Sequence, residues 1–251
     1  MLQKTFIHLP GIGLVRERRL WDAGIRTWQD CLAPGVDLPW NDAVKARTRE
    51  RLAQSIQAYR DAAWGFFDKW LPSDHKWRAF GEFQDRVLYL DIETTGLTQE
   101  DAITVIGTYD GCATKSFVLG RNLSEAVAEI NRYPVLVTYN GACFDIPVIQ
   151  RQFAAACRNH IHIDLRYPLH RLGYSGGLKG IERAMGIARS EATRGLDGWD
   201  AVRLWQEYQG GSQDALDLLL ACNAEDIRNL KPLMEFVYRV CYSALHETQK
   251  A

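Results

Sequence analysis

Four acidic residues stand where they could act on one substrate together. Asp91 and Glu93 close the apolar run Val87-Leu88-Tyr89-Leu90 within the stretch Asp91-Ile92-Glu93-Thr94-Thr95-Gly96-Leu97. The run reads as a buried strand, and side chains two apart in a strand share a face, so both carboxylates emerge on one side. Side-by-side carboxylates repel each other unless a cation or a proton intervenes. Oxygen-only ligands of this kind suit a hard divalent ion, Mg²⁺ or Mn²⁺, better than zinc. Alone, an Asp-x-Glu at a strand exit reads more readily as two solvated acids, and two further acids change that balance. Asp145, in Tyr139-Asn140-Gly141-Ala142-Cys143-Phe144-Asp145-Ile146-Pro147, sits where a buried strand hands over to a helix, the edge at which open α/β sheets bind ligands. Asp226, in Asn223-Ala224-Glu225-Asp226-Ile227, shares a helix face with Cys222 and Leu230. That face is expected to turn toward the sheet, where a carboxylate is costly unless paired or metal-bound.

The elements that position these acids follow from periodicity. Strand patterns cover 86–94, 102–109 and 114–119, with a turn at Asp110-Gly111, and short links between them predict an antiparallel meander. A helix over 124–132, a buried strand over 135–139, a helix over 145–157 and a short strand at 161–163 continue the chain. Strands separated by helices lie parallel to their neighbours, so the fold class is α/β: a mixed five-stranded sheet flanked by helices. The remainder is helical, over 178–185, 199–208 and 214–241, the last with an apolar stripe through Leu216, Leu219, Ile227, Leu230, Met234 and Val237.

Residues 1–80 form a small helical region ahead of this domain, which spans 84–245. Leu9-Pro10-Gly11-Ile12-Gly13 resembles the hairpin of helix-hairpin-helix modules, whose exposed N–H groups hold phosphate. A plain helix–helix connection explains the same residues equally well. One long helix is predicted from Asn41 or Asp42 to about Trp70, stopped by Pro72. Residues 1–80 carry 13 Lys and Arg against 9 Asp and Glu, a mildly basic part beside an acidic one, compatible with a polyanionic partner. A composition of 47% hydrophobic and 24% charged residues is that of a globular chain. No apolar run reaches the roughly 20 residues a bilayer requires, and residues 1–20 lack a signal-peptide pattern, so a cytoplasmic location is expected. The six cysteines form no C-x-x-C pair and read as reduced core residues.

Taken in order, Asp-Ile-Glu-Thr-Thr-Gly-Leu, Tyr-Asn-Gly-x-x-Phe-Asp and the late helical Asp resemble the three motifs of the DEDD superfamily of 3′→5′ exonucleases, which have an RNase H-like fold. The likeness covers residues 84–240. Its second motif is closest to the proofreading domains of family B DNA polymerases, while the arrangement as a whole is similar to stand-alone exonucleases. The resemblance implies two divalent cations, Mg²⁺ or Mn²⁺, with Asp91 bridging them, Glu93 and Asp226 completing one shell, and Asp145 holding the other ion through water. It implies hydrolysis from the single-stranded 3′ end of DNA or RNA, releasing 5′-mononucleotides. Thr94, Thr95 and Leu97 would line the pocket for the terminal nucleotide, and Asn140 and Phe144 the substrate channel. Asp164 matches a position that caps the next helix.

One departure stands out. The family places a Tyr four residues, or a His five residues, before the last Asp to orient the attacking water, and here those positions are Cys222 and Ala221. A thiol is short and a poor hydrogen-bond donor. Loss of such a group costs about 10²–10⁴ in rate without removing metal binding. Slow turnover, or a base supplied by His160, His162, His170 or Lys179, follows from this. Rival readings are a nucleic-acid-binding protein that has lost catalysis, and an endonuclease of structured nucleic acid on the same fold.

Overall fold

A computed structural model describes residues 1–96, 98 and 100–247; Leu97, assigned above to a nucleotide pocket, lies outside the described residues. The leading part holds a three-residue 3₁₀ turn, Leu2–Lys4, then α1 (Leu14–Asp22), α2 (Trp28–Leu32), α3 (Asp42–Arg60), α4 (Trp64–Trp70) and, after a second 3₁₀ stretch, α5 (Phe80–Phe83). Gly13 is the N-cap of α1, and Leu9 and Ile12 are buried. The single helix expected from Asn41 to Trp70 is two helices. Ala62 adopts φ +52°, and the N–H of Ala63 donates back to the carbonyl of Ala58 at 2.8 Å, closing α3 in the manner of a Schellman motif without glycine. This break lets α4 turn Phe67 onto Trp28, whose rings stack with centroids 5.6 Å apart.

The sheet consists of β1 (Val87–Thr94), β2 (Ile103–Tyr109), β3 (Thr114–Val118), β4 (Val135–Thr138) and β5 (Ile161–Asp164), in the order β3-β2-β1-β4-β5. β1, β2 and β3 are antiparallel, while β4 lies parallel to β1 and β5 to β4. The mixed five-stranded α/β architecture read from the sequence is therefore the observed one. Asp110 makes the β2–β3 turn by accepting from the N–H groups of Cys112 and Ala113 at 2.8 and 2.7 Å.

Between the strands run α6 (Ala126–Ile130) and α7 (Asp145–Gln152), and after them α8 (Arg166–Arg171), α9 (Leu178–Ala184), α10 (Gly198–Gln209) and α11 (Gln213–Glu247). α7 ends five residues earlier than its expected limit at Cys157; the chain leaves it at Phe153 with extended φ and ψ of −131° and 86°. Alternation along β1 divides the core. Val87 and Tyr89 join one apolar cluster with the leading helices and the second half of α11, whereas Leu88, Leu90 and Ile92 join another with Ile130, Val148 and Ile149 of α6 and α7. Asp91 and Glu93 thus belong to the α11 side of the sheet.

α11 is longer than the 214–241 expected and continues through Pro232, whose missing N–H and ring are tolerated within a helix anchored on both sides by Leu230, Leu233, Met234 and Val237. None of the cysteines forms a disulfide, and the expectation that they are core residues holds only in part. Cys31 and Cys222 are buried, but Cys112 and Cys143 are exposed because they fall in the β2–β3 turn and in the loop before α7. Among the described residues no helix is long and apolar enough to cross a membrane.

Candidate metal centre

The site begins with the register of β1 on β2. Asp91 faces Gly107 across the ladder and Glu93 faces Val105. A Cβ at residue 107 would lie 1.7 Å from Oδ1 of Asn223, so the bare backbone there is what admits α11 to the sheet. Asn223 is buried, and its Nδ2 donates to Oδ2 of Asp91 at 2.9 Å and reaches Oε1 of Glu93 at 3.5 Å. Three residues on, Asp226 lies on the same side of α11. Oxygens of Asp91, Glu93 and Asp226 all fall within 4.8 Å of one another. The three acids line a cavity of about 170 Å³, walled also by Lys179, Leu196, Asp197 and Cys222.

Burial and mutual repulsion dominate the electrostatics. Burial holds the Asp91 carboxyl well above the usual range, and the charges of Asp145, Asp226 and Glu93 push it the same way. Glu93 is raised to about 8, first by burial and then by Asp226. Burial also raises Asp226, against the opposing pull of Arg189. That arginine is anchored on Glu182, Nε to Oε2 at 2.5 Å and Nη2 to Oε1 at 2.7 Å, and its Nη2 also donates to Oδ1 of Asp226. Among the described residues no cation pairs with Asp91 or Glu93. Three converging carboxylates, with one guanidinium bonded to Asp226 and the Lys179 ammonium on the cavity wall, still leave negative charge unmatched, and an all-oxygen donor set in that condition fits a hard divalent cation.

Asp145 is brought close without joining the trio. It opens α7, is buried, and its Oδ1 accepts the N–H of Ile92 at 3.2 Å. Burial raises its carboxyl to about 7, with that hydrogen bond acting the other way. Thr94 is buried at the end of β1, donating to the carbonyl of Gly96, and Thr95 is exposed, its hydroxyl accepting from the N–H of Ala102 at 3.1 Å. Asn140 has φ +66° and receives Nη1 of Arg166 at 2.6 Å. It lines a separate groove with Tyr139, Arg166 and His170 and is not part of the carboxylate cavity. Phe144 is half-buried against the α6–α7 core. Asp164 does more than cap: its two oxygens accept from the N–H groups of Asn140, Ala142 and Arg166 at 2.8, 3.0 and 3.0 Å, fastening the second-motif loop to β5.

Of the four residues considered as a replacement base, Lys179 alone lines the cavity. Burial lowers both His160 and His162, which are held by the carbonyl of Tyr133 at 2.5 Å and the hydroxyl of Thr138 at 2.8 Å, and His170 sits in the Asn140 groove. Cys222 is buried on the cavity wall with its thiol pushed up to about 11 by burial. Asn223 and the Arg189–Glu182 pair were not singled out as functional from the sequence. Asn223 carried a weak signal, an amide one turn before Asp226 on the same helix; Arg189 lies in an irregular stretch and carried none.

A family model described as the RNase H superfamily matches residues 88–238, well over half of the chain. The chain belongs to that superfamily, and its membership supports a nuclease-type function. Comparison with curated proteins gives no match. Among solved structures the chain is similar to the family B DNA polymerase from the hyperthermophilic archaeon Pyrobaculum calidifontis, at 16% identity and TM-score 0.50, covering 60% of this chain and 24% of that one. The likeness is one of fold, and it spans about a quarter of the polymerase's length.

Proposed function

We propose that the protein is a metal-dependent 3′→5′ exonuclease acting on the single-stranded ends of DNA or RNA. The observation that carries the reading is the convergence of Asp91, Glu93 and Asp226, half-buried and short of positive charge, on the sheet of an RNase H superfamily member. Asp91 and Glu93 would hold one divalent cation with Asp226, and Asp145 a second beside Asp91. Bound cations would supply activation of water and neutralisation of charge at phosphorus for an in-line displacement. Asn223 keeps Asp91 and Glu93 in place by donating to both. Arg189 holds only Oδ1 of Asp226, so Oδ2 of that carboxylate would serve as the ligand, and its bidentate anchor on Glu182 fixes the guanidinium. Lys179 stands at the cavity wall to meet substrate phosphate. Thr94 and Thr95 follow Glu93 and lie nearest the terminal nucleotide. Residues 84–245 form the catalytic domain in this reading, and residues 1–80 buttress its sheet.

Cys222 favours a second reading, a nucleic-acid binder with little turnover, because its thiol replaces the water-orienting group. One assay separates the readings. Unblocked and 3′-blocked single- and double-stranded DNA and RNA are incubated with Mg²⁺ or Mn²⁺, beside Asp91→Ala. Stepwise shortening from a free 3′ end, absent in the variant, is expected. Binding without cleavage of any substrate supports the second reading, and internal cuts contradict the exonuclease assignment.

A further inference from the structure

The carboxylate cavity shares Lys179, Leu196 and Asp197 with a second cavity of about 360 Å³. Four cations line the second one, Lys179, Arg183, Arg189 and Arg194, against two acids, Glu182 and Asp197. Both acids are already engaged. Glu182 accepts from Arg189 and, at 3.0 Å, from Nδ2 of Asn229, while Asp197 caps α10 by accepting from the N–H groups of Trp199 and Asp200 at 2.8 and 3.1 Å. Among the described residues Arg183 and Arg194 have no side-chain partner, and both are exposed. Arg189 is largely buried, and its Nη1 has no acceptor although its other nitrogens bind Glu182 and Asp226.

A buried guanidinium N–H without an acceptor is costly, so an acceptor from outside the protein gains by reaching it. Three guanidinium groups around one hollow, with the Lys179 ammonium held beside them by the carbonyl of Leu196, suit a phosphate, which offers several oxygens to planar forks. The shared wall adds a geometric argument. An extended polyanion with one phosphate at the carboxylates can lay its neighbour in the basic hollow, and the carboxylates alone would repel it. We propose that this cavity binds the backbone phosphate adjacent to the one cut at the carboxylate site, and so holds the strand leading to the 3′ end. The proposal rests on the nuclease reading given above.

The test is binding of a 5′-labelled ten-nucleotide single strand, DNA and RNA in turn, in EDTA. Wild type is compared with the Arg183→Gln/Arg194→Gln double variant. Each binds an all-phosphodiester strand and one carrying an uncharged methylphosphonate at the linkage next to the terminal one. The double variant is expected to bind at least tenfold more weakly, with a salt slope shallower by about 0.7, as the loss of one single-strand phosphate contact implies. The uncharged linkage should weaken wild type and leave the double variant unaffected. Equal affinities and slopes, or penalties that simply add, overturn the phosphate site while Mg²⁺-dependent cleavage by wild type leaves the nuclease reading standing. A wild type that neither binds nor cuts any strand overturns both.

Discussion

Glu17 and Arg78 sit buried at the heart of the leading helices, and Asp91, Glu93 and Asp226 sit half-buried under α11; the two groups of charge are furnished differently. Glu17 accepts from Nη1 of Arg78 at 2.7 Å, from the hydroxyl of Thr5 at 2.8 Å and from the N–H of Phe6 at 2.6 Å, while the guanidinium lies over the rings of Trp21 and Trp77. One charge meets one charge, and the remaining lone pairs find N–H and O–H donors. At the carboxylate site three acids share one guanidinium and one amide, and Asp145 adds a fourth charge nearby. Buried ions need matched partners. The leading part balances its charges within the chain, although Nε and Nη2 of Arg78 find no acceptor there, and the carboxylate site leaves its balance to something outside the chain. The structural pair matches one charge with one in the fold; the functional acids are left short of positive charge.

Substitutions should split along that line. Asp91→Ala is expected to lower metal-dependent cleavage by about 10²–10³ or more, the scale of losing one preorganised electrostatic group, in a 3′-end shortening assay. The same change should raise the thermal midpoint of the metal-free protein at pH 8, since it removes repulsion. Arg78→Met should do the reverse. Leaving Glu17 buried and unpaired costs about 3–5 kcal/mol, read as a lower urea midpoint, with the cleavage rate per folded molecule unchanged.

Acidity gives a third contrast. Glu93 and Asp145 rise from 4.5 and 3.8 to about 8 and 7, so between those limits the folded protein binds more protons than the unfolded chain. Stability of the metal-free protein therefore falls as pH rises from about 4 to about 8, by a few kcal/mol in all. Urea unfolding in EDTA across that range checks it, and Asp91→Asn should flatten the decline. A smaller effect belongs to Gly107→Ala. Its methyl would displace Asn223 at a cost of about 1–3 kcal/mol, and metal affinity should fall with stability. Unchanged affinity in that variant would remove Asn223 from the site's support.

Much of this was legible in residue order. The strands showed themselves as short apolar runs bounded by turns, and the direction of β4 and β5 followed from the helices between them. Asp91, Glu93 and Asp226 could be brought together because strand and helix periodicity each fix a face. The remainder depends on contacts between distant segments. Arg189 lies between α9 and α10 in a stretch with no periodicity, so nothing local indicates that it reaches Asp226. Ala62 breaks α3 from α4 through a left-handed backbone that alanine rarely adopts, which composition does not announce. Asn223 becomes meaningful only beside Gly107, a register that long-range packing sets. Asn140, placed in the substrate channel by resemblance, lines the groove of Arg166 and His170, a neighbourhood that its own motif does not indicate.

The most direct measurement is thermal unfolding at pH 8 with and without Mn²⁺, beside Asp91→Asn. A cation that binds only the folded state stabilises it by about 2.7 kcal/mol at a concentration a hundred times its Kd. Wild type should gain several degrees with Mn²⁺ and the variant little or nothing. A wild-type midpoint that Mn²⁺ does not move, with no Mn²⁺ bound by calorimetry, would contradict a divalent cation site at Asp91, Glu93 and Asp226.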